Sequence, residues 1–536
     1  MTRAELLQSL ARHPVYDLVV VGGGATGLGV ALDAALRGFS VALLESQDFA
    51  GGTSSRSTKL LHGGVRYLAQ GNVALVREAL AERATVLRIA PHLAQPLPFV
   101  MPSYRWWQTP FYGMGLKLYD LMAGRAGLGR TAFLSKAETR AALPGANPDG
   151  LQGGVRYWDG QFDDARLALA LARSAEAVGA HVVNYAQVTA VRHLSGAPQP
   201  LSELDVKDAL TGSLLSLRAR CVVNATGVWV DDLRARAHQA GQGPAPERMV
   251  SPSQGVHVVV DRSFMPGDHA LLLPKTRDGR VLFAVPWLGK LILGTTDTPR
   301  QDLPREPQAF AEELDFILDE AGRVLSRPVR TEDIRSIWVG LRPLVAPPAD
   351  AEGSTKRLSR EHTIVVDPSG LVTVTGGKWT TYRAMADDVI ERCFAAQLLP
   401  RRAGGQTDTH PLDGSPSAGT PAVPLHMPPG PHLFGLRAAE LQRLEGADRG
   451  IGLGLTEAMV RHMVRCEYAH TVEDVLARRW RALFLDARQA AAMAPSVAAI
   501  LQDEGIPSPR LDAFLALCQH YLPAKPTLRA VSEQRG

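Results

Sequence analysis

A glycine-rich turn near the start of the chain joins two short apolar segments and limits the possible folds more than any other feature. Asp17-Leu-Val-Val-Val21 is a continuous apolar, β-branched run, typical of a parallel strand buried on both faces. A GxGxxG motif at residues 22–27 follows and opens an alanine-rich stretch, residues 25–37, of helical composition. Residues 40–45, Ser-Val-Ala-Leu-Leu-Glu, form a second buried strand. The pattern predicts a βαβ unit at the start of the chain.

The three glycines of the turn have separate roles in binding a dinucleotide. Gly22 permits the tight turn, Gly24 lets backbone amides approach a pyrophosphate, and Gly27 lets the helix pack closely on the strand. The N-terminus of the helix adds partial positive charge. Glu45 ends the second strand about twenty residues later, where its carboxylate can accept hydrogen bonds from the ribose hydroxyls and would repel a 2′-phosphate. We therefore predict a Rossmann domain that does not bind NADP.

Two further segments favour FAD over NAD. Residues 51–58, Gly-Gly-Thr-Ser-Ser-Arg-Ser-Thr, provide a row of hydroxyls and amides suited to a long cofactor. Late in the chain, the Gly376-Gly377-Lys378 turn precedes a predicted helix at residues 381–394. The N-terminus of that helix could lie against the N1–C2=O edge of a flavin and stabilise the anionic reduced ring. An NAD-binding domain normally needs neither segment.

Patterns along the chain predict an α/β protein of several domains. At 536 residues the chain is too long for one compact core. Residues 256–345 alternate apolar and polar side chains with frequent turns, which indicates a largely antiparallel sheet. We predict an FAD-binding domain from residues 15–70, 150–235 and 355–395, a mixed-sheet α+β substrate domain from 71–149 and 236–354, a linker at 397–432, and a helical C-terminal domain at 433–522.

The amino-acid composition limits the cellular compartment and the kinds of binding partner that we expect for this chain. The four cysteines lie far apart without a CxxC pair, which favours a reducing compartment, and no His/Asp/Cys cluster has the spacing of metal ligands. A formal net charge of +4 is too small over this length to indicate a nucleic-acid partner. Residues 1–15 lack the apolar core of a signal peptide, and apolar runs elsewhere are broken before bilayer-spanning length. We expect no membrane crossing, although the chain could lie on a membrane.

Three longer motifs resemble those of the FAD-dependent glycerol-3-phosphate dehydrogenases. They are GGTSSRSTKLLHGGVRYL at residues 51–68, TVTGGKWTTYR at 373–383 and EYAHTVEDVLARR at 467–479. The resemblance implies a glutathione-reductase-like FAD domain, non-covalent FAD, and oxidation of sn-glycerol 3-phosphate to dihydroxyacetone phosphate by hydride transfer to flavin N5. It also implies a quinone acceptor and peripheral attachment to the cytoplasmic face of the inner membrane. We predict FAD contacts at Gly22, Gly24, Gly27, Glu45, Thr53, Ser54, Ser57, Lys59, His62, Gly63, Ala225, Gly227, Gly377, Lys378 and Thr380.

Oxidation of a secondary alcohol needs a base for the hydroxyl proton, and a phosphate dianion is a handle that arginines bind bidentately. His257, within the predicted strand 255–260, is the candidate base, and His62 competes for that role. By resemblance, the catalytic set is completed by Arg342 and Lys378. The substrate contacts are placed at Arg66, Tyr67, Arg342, Arg360 and Lys378.

The sequence leaves several alternatives open. Electrons could pass to oxygen, which would make the chain an oxidase of glycerol 3-phosphate or of an amino acid. A nucleotide-binding module without turnover is the alternative of another class. The aromatic segment at residues 104–122 fits either a membrane or quinone surface or a buried helix pair of the substrate domain, and we favour the buried pair. The sequence does not determine the oligomeric state, and a homodimer is one of the alternatives.

Overall fold

The computed structural model describes residues 3–64, 73–194, 200–238, 245–346, 362–417 and 419–523. The α-helices are α1 (Arg3–Arg12), α2 (Ala25–Leu36), α3 (Val73–Ile89), α4 (Gln108–Ala123), α5 (Lys136–Ala142), α6 (Asp164–Ala177), α7 (Val230–Ala237), α8 (Ala311–Val324), α9 (Tyr382–Ala395), α10 (Ala438–Leu441), α11 (Glu457–Cys466), α12 (Ala482–Leu485), α13 (Ala487–Asp503) and α14 (Leu511–His520). A π-helix spans Asp474–Arg479, and short 3-10 helices include Thr53–Ser55, Gly227–Trp229 and Trp379–Thr381.

The strands follow in chain order. They are β1 (Tyr16–Val21), β2 (Val41–Leu44), β3 (Leu60–Leu61), β4 (Ala94–Ser103), β5 (Ala132–Ser135), β6 (Gly153–Phe162), β7 (His181–Val183), β8 (Ala186–His193), β9 (Ser202–Asp208), β10 (Leu214–Asn224), β11 (Ser253–Asp261), β12 (Ala270–Leu273), β13 (Leu282–Trp287), β14 (Lys290–Gly294), β15 (Thr298–Pro299), β16 (Ser336–Arg342), β17 (His362–Val366), β18 (Leu371–Gly376), β19 (Gly450–Gly452) and β20 (Leu455–Thr456).

The first sheet is the predicted Rossmann sheet. Strands β18, β10, β1, β2 and β7 lie side by side in that order and run parallel, with β17 antiparallel at one edge. β2 is buried throughout, as its continuous apolar sequence predicts, and α2 contacts α6 and α9 on one face of the sheet. The sheet brings together strands from residues 16–44, 181–224 and 362–376. The expected FAD-domain fold is confirmed.

The second sheet is mixed, as predicted for the substrate domain. Its order is β15, β11, β14, β13, β12, β4, β6 and β3, with β16 beside β11 and β5 beside β6. Neighbouring strands are antiparallel except β12 and β4. One boundary differs from the prediction: residues 153–162, assigned to the FAD domain, form β6 and pair with β4 along its whole length. The local sequence of β6 does not reveal this partner, because a ladder is decided by the facing strand.

The C-terminal domain is helical, as expected, apart from the short β19–β20 pair. Its core continues into the second sheet, where Trp480 and Phe484 belong to the same cluster as Trp287 and Trp338. The described part of residues 397–432 has neither helix nor strand before a 3-10 turn at residue 431. This segment hydrogen-bonds both sheets' domains: the Asp413 N–H donates to Ser174 Oγ on α6 at 2.9 Å, and Leu425 accepts from the Leu288 N–H.

The aromatic segment at residues 104–122 forms an exposed surface, so its interpretation as a buried helix pair is wrong. Leu116 and Tyr119 on α4 point inward and are buried. The opposite face is apolar too, and it is exposed to solvent together with Trp106, just before the helix. Trp106 is 81% exposed, Phe111 64%, Met114 70% and Leu121 78%. Because the helix is apolar on both faces, its periodicity does not say which face meets the core. None of the described helices is both long and apolar enough to span a bilayer.

Candidate FAD and substrate site

A long groove opens at the carboxyl ends of the parallel strands, the place where ligands bind in sheets of this type. It contains about 1410 Å³ of space free of protein atoms, its open mouth included. Nine of the predicted cofactor residues line it: Gly22, Gly24, Glu45, Thr53, Ser54, Ala225, Gly227, Gly377 and Lys378. Trp229, Arg305 and Trp379 line it as well, and the sequence patterns did not single out these three side chains for this role.

The turn between β1 and α2 requires its glycines for steric reasons. Gly22 has φ +114°, and a Cβ there would lie 2.5 Å from the carbonyl oxygen of Ala225. A Cβ on Gly27 would lie 2.0 Å from the carbonyl oxygen of Gly22, so the helix could not approach the strand as closely. Gly27 does not line the groove, but it lets α2 pack closely on β1 and so determines the position of the groove's floor. Ser54 Oγ accepts a hydrogen bond from the Ala25 N–H, 3.0 Å, at the first turn of α2.

Replacing Gly27 by alanine is expected to displace α2 and to weaken FAD binding at least about tenfold, or about 1.4 kcal/mol. Fluorescence titration of the deflavinated protein with FAD measures this affinity. Gly322→Ala is the matched control, since a Cβ on this helical glycine meets no atom within 4 Å. Equal FAD affinity in the two variants would contradict the role given to Gly27.

Glu45 lies at the groove as an anchored hydrogen-bond acceptor. Its Oε2 accepts from the Gly23 N–H at 2.7 Å, and its Oε1 accepts from the Gln47 N–H at 2.8 Å. The Ser46 hydroxyl also donates to Oε1, at 3.1 Å. Because a carboxylate has about four acceptor sites, these three bonds orient the group and leave capacity for a ribose hydroxyl. This geometry fits the adenosine half of FAD.

The late glycine turn closes the other side of the groove. Gly377 has φ +72°, a left-handed conformation that glycine adopts without strain, and a Cβ there would lie 2.3 Å from Met385 Sδ. The chain then enters the 3-10 turn Trp379–Thr381 and α9, whose N-terminal end faces the groove. Trp379 Nε1 donates to the carbonyl of Ser54 at 2.8 Å and so joins this turn to the cofactor segment. A helix N-terminus beside the groove fits an anionic flavin edge.

Several predicted cofactor residues lie away from the groove. Ser57 and Lys59 bind the buried carboxylate of Asp164, and Gly63 packs against Tyr119, whose hydroxyl accepts its N–H at 3.0 Å. Neither His62 nor Thr380 lines the groove. The FAD contacts predicted for Ser57, Lys59, His62, Gly63 and Thr380 stay predictions. Arg66, Tyr67 and Arg360 lie outside the described residues.

His257 is buried on β11, in the second sheet. Its Nε2 lies 2.9 Å from Thr58 Oγ1, and its ring stacks on Trp338, its cross-strand neighbour on β16, at 5.2 Å between centroids. Burial, then the positive charges of Lys59 and Arg342, hold the pKa of His257 well below its usual value. The imidazole is therefore neutral at physiological pH, the form that can accept a proton.

Arg342 ends β16 with its guanidinium held by the protein. It donates to the carbonyls of Gln254 at 3.2 Å and Thr296 at 2.9 Å, and lies 3.3 Å from the Asp297 carboxylate. The next residue, Pro343, lines the groove together with Lys378. β16 also contacts the cofactor segment directly, since Thr53 Oγ1 donates to the Leu341 carbonyl at 2.5 Å. The structure thus connects β16 to the groove through Pro343 and Leu341, whereas neither His257 nor Arg342 itself lines it.

The sequence patterns missed two residues that contact His257, Thr58 and Trp338, and two that form the buried cluster around Lys59, namely Asp164 and Arg481. Thr58 was noted only as part of the hydroxyl-rich row, and Trp338, Asp164 and Arg481 were not considered. Their partners are distant in the chain, and no local pattern identifies such contacts. A search of the described residues finds no cluster of three or more His, Cys, Asp or Glu side chains arranged to hold a metal ion.

A glycine turn, an anchored acidic residue and a second glycine turn around one groove define a flavin-dependent oxidoreductase. The comparisons agree with this class: a family model described as "FAD dependent oxidoreductase" matches residues 17–391, and one described as "C-terminal domain of alpha-glycerophosphate oxidase" matches 433–505. The mitochondrial glycerol-3-phosphate dehydrogenase of Mus musculus is 39% identical over 534 residues, covering 94% of this chain and 72% of the relative. The mitochondrial enzyme of Schizosaccharomyces pombe is 36% identical, covering 94% and 86%.

Solved structures extend the likeness to the whole fold. The glycerol-3-phosphate dehydrogenase from Bacillus halodurans complexed with FAD aligns with a TM-score of 0.70 and 27% identity over 96% of each chain. L-alpha-Glycerophosphate Oxidase from Mycoplasma pneumoniae shares the fold alone, with a TM-score of 0.54 and 16% identity over 72% of this chain and 95% of the other. The chain belongs to the family of FAD-dependent glycerol-3-phosphate dehydrogenases.

Proposed function

We propose that this enzyme oxidises sn-glycerol 3-phosphate to dihydroxyacetone phosphate and passes the electrons to a quinone at a membrane surface. The observation that carries the proposal is that a buried histidine and an oriented arginine lie on adjacent strands, and that the residue after the arginine lines the cofactor groove. The relatives named above support the choice of substrate. When bound, FAD supplies the hydride acceptor at its N5 atom.

His257 is proposed as the base that takes the proton of the substrate hydroxyl. The proton is proposed to reach Nε2 through the Thr58 hydroxyl, which takes the substrate's proton as it gives its own to the ring. Stacking on Trp338 fixes the plane of the imidazole, and burial keeps water away from it. The lowered pKa keeps the ring in its accepting form over the physiological range.

Arg342 and Lys378 are proposed to bind the substrate oxygens. Both terminal nitrogens of the guanidinium donate to protein groups, among them the Gln254 and Thr296 carbonyls, so Arg342 is proposed to attract the phosphate by its fixed positive charge. Lys378 lies in the glycine turn at the groove and adds a second cation. Arg66, Tyr67 and Arg360 are proposed to complete the phosphate contacts. Binding energy from the phosphate then positions the reacting carbon.

The exposed apolar face of α4 is proposed to lie on the membrane that holds the quinone. Phe111, Met114, Leu118 and Leu121 recur at helical spacing along this face, and all are exposed. Lys117 contributes a cation on the same helix and lies 4.6 Å from the Phe133 ring centroid. An apolar face with aromatic residues and nearby cations is typical of a helix lying in the interface of an anionic membrane.

We expect the double substitution Met114→Glu and Leu121→Glu to weaken binding to vesicles of phosphatidylcholine and phosphatidylglycerol at least about tenfold, because both side chains would leave the lipid. Vesicle co-sedimentation measures the binding. Leu214→Glu is the control, since Leu214 is 78% exposed but lies on β10 of the other sheet. If all variants bind vesicles equally, α4 is not the membrane-contacting surface.

A steady-state assay distinguishes the acceptors. With glycerol 3-phosphate and a soluble quinone analogue, the proposal predicts one dihydroxyacetone phosphate per quinone reduced and little peroxide in air. The match of residues 433–505 to a domain named for an oxidase makes oxygen the competing acceptor. Stoichiometric peroxide, with no acceleration by the quinone, would establish an oxidase instead.

A further inference from the structure

A fully buried polar cluster next to His257 joins the C-terminal domain to the cofactor segment. Its centre is the carboxylate of Asp164, at the first position of α6, beside the helix N-cap Asp163. Lys59 donates to Asp164 Oδ2 at 2.7 Å, and Arg481 donates to Asp164 Oδ1 at 3.2 Å. The side chains of all three central residues, Lys59, Asp164 and Arg481, have no exposed surface.

The same cluster holds residues 55–59 of the cofactor segment through their backbone. The carbonyl of Ser55 accepts from Lys59 Nζ at 2.8 Å and from Arg481 Nη2 at 2.6 Å. Ser57 gives Asp164 two more hydrogen bonds, from its N–H at 3.1 Å and its hydroxyl at 2.7 Å. Hydrogen bonds to buried charged groups are stronger than those between neutral groups. The segment is therefore fixed on both sides of Arg56.

Lys59 and Arg481 also share an unusual backbone conformation. Lys59 and Arg481 both have φ +64°, in the left-handed region that non-glycine residues seldom adopt. Such residues persist where their surroundings determine the conformation, and they cluster at functional sites. Arg481 also donates to the carbonyl of Ala477 at 2.7 Å, within the π-helix that ends two residues earlier.

Two contacts connect the cluster to His257. Thr58, between the fixed Ser57 and Lys59, meets His257 Nε2 at 2.9 Å. Trp338, which stacks on His257, also forms one wall of the Lys59 pocket, with Nζ 5.2 Å from its ring centroid. The remaining walls are Trp287 at 5.3 Å and Phe484, from the C-terminal domain, at 5.4 Å.

We propose that Arg481 of the C-terminal domain is a positioning residue: through Asp164 and the Ser55 carbonyl it fixes residues 55–59, so that Thr58 orients Nε2 of His257. The inference rests on the proposed role of His257 as the base. It gives the C-terminal domain a part in the active site, and it gives Lys59 an electrostatic role beside the imidazole instead of the cofactor contact predicted for it.

The charges around His257 support this role for Lys59. The cationic groups that lower the pKa of His257, after burial, are Lys59 and Arg342. Asp164 and Asp163 partly neutralise Lys59, while Arg481 opposes its charge. Burial lowers the pKa of Lys59 to about 7, so Lys59 is cationic below that pH, where an ordinary histidine would protonate. Lys59 therefore opposes protonation of His257 in that range.

The first test uses the full-length holoenzyme and anaerobic reduction of its flavin by glycerol 3-phosphate. We expect Arg481→Gln to slow reduction about tenfold or more at saturating substrate, with FAD bound and KM changed less than about threefold. Arg481→Lys, which keeps the charge, is expected to recover part of the rate. Arg166→Gln is the matched control, because Arg166 is a buried arginine at the same domain interface that binds Glu467 and not residues 55–59.

The outcomes separate the inference from the proposed function. If the wild type is not reduced by glycerol 3-phosphate, the proposed function fails. If the wild type is reduced and Arg481→Gln matches it, or slows no more than Arg166→Gln, the positioning role is wrong. Should Arg481→Gln not fold, Thr58→Val carries the same test: we expect a comparable loss of rate that Thr58→Ser restores, and an unchanged rate in Thr58→Val overturns the inference.

The pH profile tests the charge of Lys59 by a readout that a structural role would not move. Removing this cation in Lys59→Met raises the pKa of His257, so the acid limb of kcat/KM is expected to shift to higher pH. Lys59→Arg keeps the charge and should leave the limb in place. An acid limb that stays in place in Lys59→Met, or that shifts equally in both variants, overturns the electrostatic role.

Discussion

His257→Gln is expected to reduce its flavin with glycerol 3-phosphate about 10²–10⁴ times more slowly than the wild type, the usual contribution of a general base. Glutamine keeps a polar group near Thr58 but cannot accept the hydroxyl proton. Substrate affinity should change little, because the phosphate contacts lie elsewhere. Stopped-flow absorbance of the flavin at several substrate concentrations separates the reduction rate from the binding constant.

The control is another buried histidine. Burial lowers the pKa of His92 to about 3. His92 does not line the groove and takes no part in the stacking of His257 on Trp338. His92→Gln should therefore retain the wild-type reduction rate. A His257→Gln enzyme that reduces its flavin normally would assign the base role elsewhere, with His62 the next candidate.

The lowered pKa of His257 also sets the sign of the pH dependence. A histidine whose pKa lies well below 6.5 stays neutral as the pH falls through 6.5, so the base remains available there. We expect the reduction rate of the wild type to hold steady between pH 7.5 and pH 6.5 and to fall only in more acidic buffer. An acid limb centred at or above 6.5 would contradict the neutral, buried state of His257.

Arg342→Ala is expected to raise KM for glycerol 3-phosphate about 100-fold while FAD stays bound. The estimate corresponds to about 3 kcal/mol for the loss of a charge-assisted contact. Arg342→Lys should fall between the two, because an ammonium keeps the charge but loses the planar fork. Steady-state kinetics with a saturating quinone analogue measures KM.

Arg300→Ala provides the comparison for Arg342. Arg300 lies near the same end of the second sheet, where it pairs with Asp302 at 2.6 Å and also bonds the Gln254 side chain. Its loss should leave KM unchanged, since Arg300 pairs with an exposed carboxylate and no substrate contact is proposed for it. If Arg342→Ala shows an unchanged KM as well, Arg342 does not bind the substrate phosphate.

The parts of the fold that were predictable depend on neighbours in the sequence. The β1–turn–α2 unit follows from the apolar run and three glycines, whose steric need is local: Gly27 must clear the Gly22 carbonyl only five residues away. Glu45 could be placed at the groove because β2 has a fixed length after α2. The second glycine turn at Gly377 was recognised in the same way.

The parts that were missed depend on contacts distant in sequence. Lys59 was predicted to contact the cofactor, and nothing local indicates its left-handed conformation or its bond to Asp164, 105 residues later. Arg481, which binds the same carboxylate, is 317 residues from it. The apolar pattern of α4 suited burial equally well, and only tertiary packing leaves Met114 and Leu121 exposed. No local propensity encodes these choices.

Anaerobic mixing of the purified holoenzyme with sn-glycerol 3-phosphate tests the proposed substrate and cofactor together. We expect rapid bleaching of the oxidised-flavin absorbance and formation of one dihydroxyacetone phosphate per flavin, with no bleaching by glycine or other amino acids. If the flavin stays oxidised with glycerol 3-phosphate and is bleached by an amino acid, the fold and cofactor assignments hold but the proposed substrate is wrong.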